Sequence, residues 1–100
     1  VLFTALSDRD RRLLCTHLAD RGASIGVGDA TAHLLEETTN DGDRSRRSLE
    51  IELHHTHLPL LADANVIRYD RSRDRIEPGE NLQAAWTLIE TATRETLFVS

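Results

Sequence analysis

The stretch Leu53-His54-His55-Thr56-His57-Leu58-Pro59-Leu60-Leu61-Ala62-Asp63-Ala64-Asn65-Val66-Ile67-Arg68-Tyr69-Asp70 changes its periodicity once, and that change decides the fold. Leu53, His57, Leu60, Leu61 and Ala64 recur at spacings of four, three, one and three, which is one face of a helix. Beyond Asn65, the residues Val66, Ile67 and Tyr69 are β-branched or aromatic and read as a strand. Asparagine is the best substitute for glycine in the left-handed position that ends a helix. The spacing therefore predicts a helix that stops at Asn65 and passes at once into a strand.

Pro59 lies inside that helix. It has no N–H for an intrahelical bond, so a kink or a division is expected there. The helix begins near Arg44 or Ser45, after the turn-forming run Asn40-Asp41-Gly42-Asp43, and about twenty residues would span about 30 Å. Downstream, Val66 to Asp70 and Arg75 to Glu77 form a hairpin around Arg71-Ser72-Arg73-Asp74, closed by Pro78-Gly79. A last helix covers about Glu80 to Phe98, with Leu82, Ala85, Trp86, Ile89, Ala92 and Thr93 at helical spacing.

Upstream, Ser7 followed by Asp10 is an S-x-x-D helix start. Helix 1 then runs from about Asp8 to Arg21, with Leu13, Leu14, His17 and Leu18 on one face and Gly22 as the stop. Leu2, Phe3 and Leu6 pack beneath it or extend a preceding helix. Ile25 and Val27 belong to a short strand or a buried loop. Asp29 is the expected cap of helix 2, Ala30 to about Thr39, which buries Ala30, Leu34 and Leu35. The order helix, helix, helix, hairpin, helix is mainly α with a small β-hairpin wing. It describes a winged helix-turn-helix domain over residues 1–78 and an added C-terminal helix over 79–100. In such a domain the third helix enters the major groove, which makes double-stranded DNA the first partner to weigh.

One hundred residues suit a single domain with a modest core. Hydrophobic residues make up 39% and no apolar run approaches the roughly 18 residues of a membrane span, so no membrane partner is expected. No leader pattern opens the chain, and a start at Val1 rather than methionine reads as processing or trimming. The single cysteine, Cys15, rules out an internal disulfide and points to a reducing, cytoplasmic setting.

All twelve basic residues are arginine, set against seventeen carboxylates, and threonine occurs ten times. This balance is expected of a salt-loving archaeon; GC-rich coding alone explains the arginine but not the carboxylate excess. The net charge of −5 is unevenly placed. Residues 44–75 hold seven arginines and five acids, a local +2, while the rest of the chain holds five arginines and twelve acids, a local −7. The basic share falls on the third helix and the hairpin, where phosphates would lie.

His54 to Asp70 resembles the core of a haloarchaeal winged-helix family of unknown function, which reads YHTHLPKLADAGVVEYD. More distantly it resembles the segment HHLKxLxxAGLV of ArsR-type transcriptional regulators. Leu2 to Leu14, LFTALSDRDRRLL, is similar to the family's first helix, LSDxRRRxLL. The resemblance covers residues 2–77 and implies a winged-helix DNA-binding regulator. Two positions depart from the pattern: His54 stands where tyrosine is common, and Asn65 stands where glycine does. The metal-binding cysteines of ArsR-type sensors have no counterpart, so their sensing chemistry is not implied.

Arg44, Arg46, Arg47 and Ser48 open the third helix and are the candidate phosphate and base contacts, with His54 and His55 further along it. Arg71, Arg73 and Arg75 sit on the wing, where arginine lies along the backbone or enters the minor groove. The competing readings are an arginine cluster neutralised by Asp41 and Asp43, and a charged hairpin tip that guards an edge strand. Glu50 and Glu52 would repel phosphate; they either accept from cytosine N4 or mark a chain that has lost DNA binding. His54, His55 and His57 do not make a metal site, because His55 points away from the other two and no further ligand stands at a zinc spacing. His57 instead belongs to the core side. Leu82, Ala85, Trp86, Ile89 and Thr93 are read as a homodimer interface, against the alternative of packing onto helix 1. No catalytic set, cofactor site or small-molecule effector site is identifiable. The expected function is sequence-specific DNA binding in transcriptional regulation; the alternative is a protein-interaction module with the same fold.

Overall fold

In the computed structural model, residues 2–38 and 44–99 are described. The expected turn at Asn40 to Asp43 lies outside them. A single turn, α1 (Leu2–Ala5), leads into α2 (Arg9–Arg21). The cap of α2 is Asp8 rather than Ser7: the Asp8 carboxylate accepts the Asp10 N–H at 2.8 Å, while the Ser7 hydroxyl donates back to the Thr4 carbonyl at 2.8 Å. Gly22 ends α2 in the left-handed conformation, φ 64°, and its N–H bonds to the Leu18 carbonyl. This is the backbone geometry glycine adopts without a Cβ penalty.

The next helix, α3 (Val27–Glu37), starts three residues earlier than expected, with Gly26 as its N-cap and Asp29 inside its first turn. The sheet sets this start. Ile25–Gly26 form β1, Gly26 pairs with Arg75, and the Val27 N–H donates to the Asp74 carbonyl at 2.9 Å. The chain is held extended up to the residue where the helix begins. Ala30, Thr31 and Leu34 are fully buried on α3, and Leu35 packs against the core edge.

The long third helix is a succession of α4 (Arg46–Glu52), a π-helical turn (Leu53–His57) and α5 (Leu58–Asp63). Ser45 is its cap, its hydroxyl accepting the Ser48 N–H at 3.0 Å, so Arg44 stands outside the helix. In the π turn the Leu58 N–H reaches the Leu53 carbonyl five residues back. Pro59 explains the widening. It has no N–H for the His55 carbonyl, and in regular α geometry its ring would press on that carbonyl. The expected division therefore occurs just before the proline.

Asn65 takes the left-handed conformation, φ 59°. Val66 is buried but outside the strand, and β2 (Ile67–Asp70) pairs antiparallel with β3 (Arg75–Pro78), Tyr69 opposite Ile76. β1 joins the far side of β3, giving a three-stranded sheet of order β1-β3-β2. In the hairpin loop the Asp70 carboxylate accepts the N–H groups of Ser72 and Arg73 at 3.1 and 3.3 Å and the Ser72 hydroxyl at 2.7 Å.

The final helix, α6 (Leu82–Val99), is anchored to the junction after α5. The Gly79 N–H donates to the Val66 carbonyl at 2.9 Å, and Asn81 donates its N–H to the Asn65 carbonyl and its amide to the Ala64 carbonyl, both at 2.9 Å. A Cβ on Gly79 would lie 2.5 Å from the Asn65 carbonyl oxygen, so no larger residue fits this crossing. α6 then lies on α2. Leu82 and Ala85 are buried and Ile89 packs partly into the same core, with Leu14, Leu18, Leu53, Leu61 and Ile76. Leu82, Ala85 and Ile89 are thus used within the chain, which corrects the reading of the whole stripe as a dimer surface. α2 needs its outer apolar face covered, and α6 is tethered close enough to cover it. Trp86 is half-buried and Thr93 exposed. Among the described residues, no helix is long and apolar enough to cross a membrane. The architecture is winged-helix-like.

Candidate nucleic-acid interface

On α4 and the π turn, burial alternates with helical period. Leu49, Leu53 and His57 face the core, while Arg47, Ser48, Ile51 and His55 are exposed. Behind this outer face lies a polar network that ties the third helix to α2. The Arg44 guanidinium pairs with the Asp10 carboxylate, bonds the Thr38 hydroxyl at 3.4 Å and lies 3.9 Å from Glu52. That guanidinium holds the Asp10 carboxyl below the usual carboxylate range. Arg11, only 7% exposed, donates to the Ala5 carbonyl at 2.6 Å, to the Thr4 carbonyl at 3.3 Å and to His57 Nδ1 at 3.0 Å.

The last of these bonds fixes the His57 tautomer. A guanidinium only donates, so Nδ1 is the bare nitrogen and the ring proton sits on Nε2. Nε2 is buried without a hydrogen-bond partner among the described residues, 3.7 Å from Asp10 and 3.6 Å from Glu52. Asp8, Asp10 and His57 bring possible ligand atoms within 4.8 Å of one another. The donor set does not fit a metal ion: His57 offers an N–H rather than a lone pair, Asp8 caps α2, and Asp10 holds Arg44. The cluster is an internal ion network.

The candidate residues separate accordingly. Arg44 is engaged with Asp10 and does not project to the outer face. Arg46 is pinned, its Nη2 donating to the Gly28 carbonyl at 3.2 Å and its Nε 3.3 Å from Glu50. Arg47 has no intramolecular partner among the described residues. Ser48 and His55 are exposed beside it. His54 is half-buried and shares a hydrogen bond with the Tyr69 hydroxyl, bracing the helix against the wing; burial raises the phenol above its ordinary pKa. Arg75 is likewise a brace, donating to the Ser24 hydroxyl at 2.7 Å. Arg73 stands 3.9 Å from Asp70 and remains exposed, as does Arg71.

Helix and wing meet in a cleft of about 340 Å³ lined by Ile51, His54, His55, Tyr69, Arg71 and Asp74. Ile51, Arg68 and the braces Arg11 and Tyr69 are not apparent from motif reasoning. Ile51 left one signal: it is apolar but lies off the Leu49–Leu53 stripe. Arg68 is exposed on β2, 3.7 Å from Glu77. Cys15 is fully buried and its thiol is pushed up to about 12, which makes it a core residue rather than a nucleophile.

The fold and this helix-plus-wing surface place the chain among winged-helix-like domains. The family described as a domain of unknown function (DUF7344) matches residues 3–77, and the chain belongs to that family. Neither a curated protein nor a solved structure matches the chain.

Proposed function

We propose that this chain is a sequence-specific DNA-binding transcriptional regulator of a haloarchaeal cytoplasm, of the general kind to which ArsR-type regulators belong. One observation carries the reading: each of the two acids that argue against it has a basic or imidazole neighbour within the chain, although both remain exposed. Glu50 lies 3.3 Å from Arg46, and Glu52 lies 3.6 Å from His57 Nε2 and 3.9 Å from Arg44. Outward on the helix stand Arg47, Ser48, Ile51 and His55, beside the exposed Arg46, Glu52 and Thr56, with Arg71 across the cleft.

This face is less basic than the arginine count implies, because Arg44, Arg46 and Arg75 are engaged within the chain. In molar salt the deficit matters little. The Debye length falls to about 3 Å, so long-range steering nearly vanishes and close contact carries recognition. Arginine suits such contact, being planar, bidentate and less strongly hydrated than lysine. One helix and wing cover a single half-site, so a second copy would complete a two-fold site. The surface left for it is Trp86 and Thr93 together with exposed Leu88 and Phe3, the last two flanking a groove of about 540 Å³ between α1 and α6.

Selection of bound sequences from random DNA at about molar KCl tests the reading. A defined motif should emerge, and Arg47→Ala with Arg71→Ala should weaken binding to it at least about tenfold, as expected for two lost charge-assisted contacts. No enriched sequence, or binding unaffected by the double substitution, would favour a protein-docking module instead.

A further inference from the structure

We infer that His17 and His33 form an acid-sensitive latch between α2 and α3: the stacked pair accepts one proton while the helices touch, and a second proton parts them. The latch does not depend on what the helix-and-wing surface binds.

His17 stands on α2 and His33 on α3, both half-buried, with ring centroids 3.9 Å apart and planes 14° from parallel. Rings stacked in this way point their lone pairs side by side rather than toward a common point, so the pair is not a metal site. Two neutral imidazoles can stack, and so can one neutral and one charged ring, but two imidazoliums repel. Unit charges about 4 Å apart disfavour the doubly charged pair about fivefold in bulk water and about a thousandfold at the effective dielectric of a protein surface.

The surrounding charges do not cancel this. Asp20 and Arg21 lie one turn beyond His17 on α2, Asp29 lies one turn before His33 on α3, and Glu36 and Glu37 lie one turn after it. Arg75 of β3 reaches the same Gly26 backbone as Asp29. Burial and then His33 hold His17 below its ordinary value, with Arg21 acting the same way; together they outweigh Asp20 and Asp29. The folded pair therefore binds fewer protons than the unfolded chain. The latch is closed above about pH 6.5 and weakens as pH falls.

Opening reaches the helix-and-wing surface through the first turn of α3. There the Val27 N–H donates to the Asp74 carbonyl at 2.9 Å, and the Gly28 carbonyl accepts from Arg46 at 3.2 Å. One turn thus touches both the hairpin loop and the start of the third helix, and its displacement from α2 moves both.

The test is a titration of the histidine ring C–H resonances from pH 8 to pH 5 at about molar KCl, with amide hydrogen exchange measured alongside. In the wild type His17 and His33 should titrate in two steps more than about one pH unit apart. In His33→Gln the step of His17 should become single and move up, and His17→Gln should do the same for His33. After correction for intrinsic exchange rates, protection at Leu18 and Leu34 should fall at least about tenfold between pH 7 and pH 5 in the wild type. His33→Phe keeps a flat ring without the charge and should retain that protection; His17→Phe serves if it does not fold. Coincident steps, a step unmoved by loss of the partner ring, or protection lost equally in the phenylalanine variant would each overturn the latch.

Discussion

Replacing Asp10 by asparagine keeps the shape of the side chain and removes the charge that holds Arg44 beside the third helix. Both partners are largely buried, at 11% and 22% side-chain exposure. Breaking a fully buried pair costs about 3–5 kcal/mol and an exposed one less than about 1 kcal/mol, so this intermediate pair should cost about 2 kcal/mol. For a domain of this size the melting temperature should fall by about 8–16 °C. The pH dependence separates this cause from a packing defect. The folded Asp10 carboxyl titrates below its unfolded value, so its stabilisation is complete above about pH 4 and is lost as pH falls through the folded pKa. Urea unfolding of wild type and Asp10→Asn, followed by circular dichroism from pH 7 to pH 2, should give a difference of about 2 kcal/mol that closes toward the acid end. A difference below about 0.5 kcal/mol at pH 7, or one unchanged by acid, would refute the assigned role of the pair.

Gly79→Ala places a Cβ 2.5 Å from the Asn65 carbonyl oxygen and 2.8 Å from the Ile67 nitrogen, so thermal denaturation should show a loss of about 1–3 kcal/mol. Gly22→Asn, where nothing lies within 4 Å and only the positive φ matters, should cost a few tenths of a kcal/mol. His17 stacks on His33 with ring centroids 3.9 Å apart, and burial first, then the neighbouring His33, lowers its pKa; Asp20 and Asp29 act the other way. Its folded pKa lies below its unfolded value, so stability is full above about pH 6.5 and declines as pH falls through the folded pKa. His17→Gln should flatten that decline in melting curves between pH 8 and pH 5, and an unaltered slope would count against it. Leu88→Asp should shift a dimer toward monomer in sizing measurements at high salt, whereas Ala85, buried within the chain, cannot act through such an interface.

Much of the fold was legible in local chemistry. The helix-to-strand change at Asn65, the stop at Gly22 and the hairpin around Arg71 to Asp74 each follow from backbone preferences that act over a few residues. Errors of boundary arose where a distant partner intervened. α3 starts early because β3 holds residues 25–27 in the sheet, and the break at Pro59 is absorbed upstream by a π turn.

The sequence by itself determined which residues are apolar, which are arginine, and at what period they recur, because these depend only on local order. It could not assign partners. Helical spacing presented Leu82, Ala85 and Ile89 as a free stripe, and only tertiary packing decided that α2 of the same chain covers it. The same holds for charge. Seven arginines in the basic segment looked equivalent in sequence, yet Arg44 is bound to Asp10, 34 residues away, and Arg75 to Ser24, 51 residues away. Which charges remain free to meet a ligand is set by long-range contacts that burial imposes, and no local pattern encodes them.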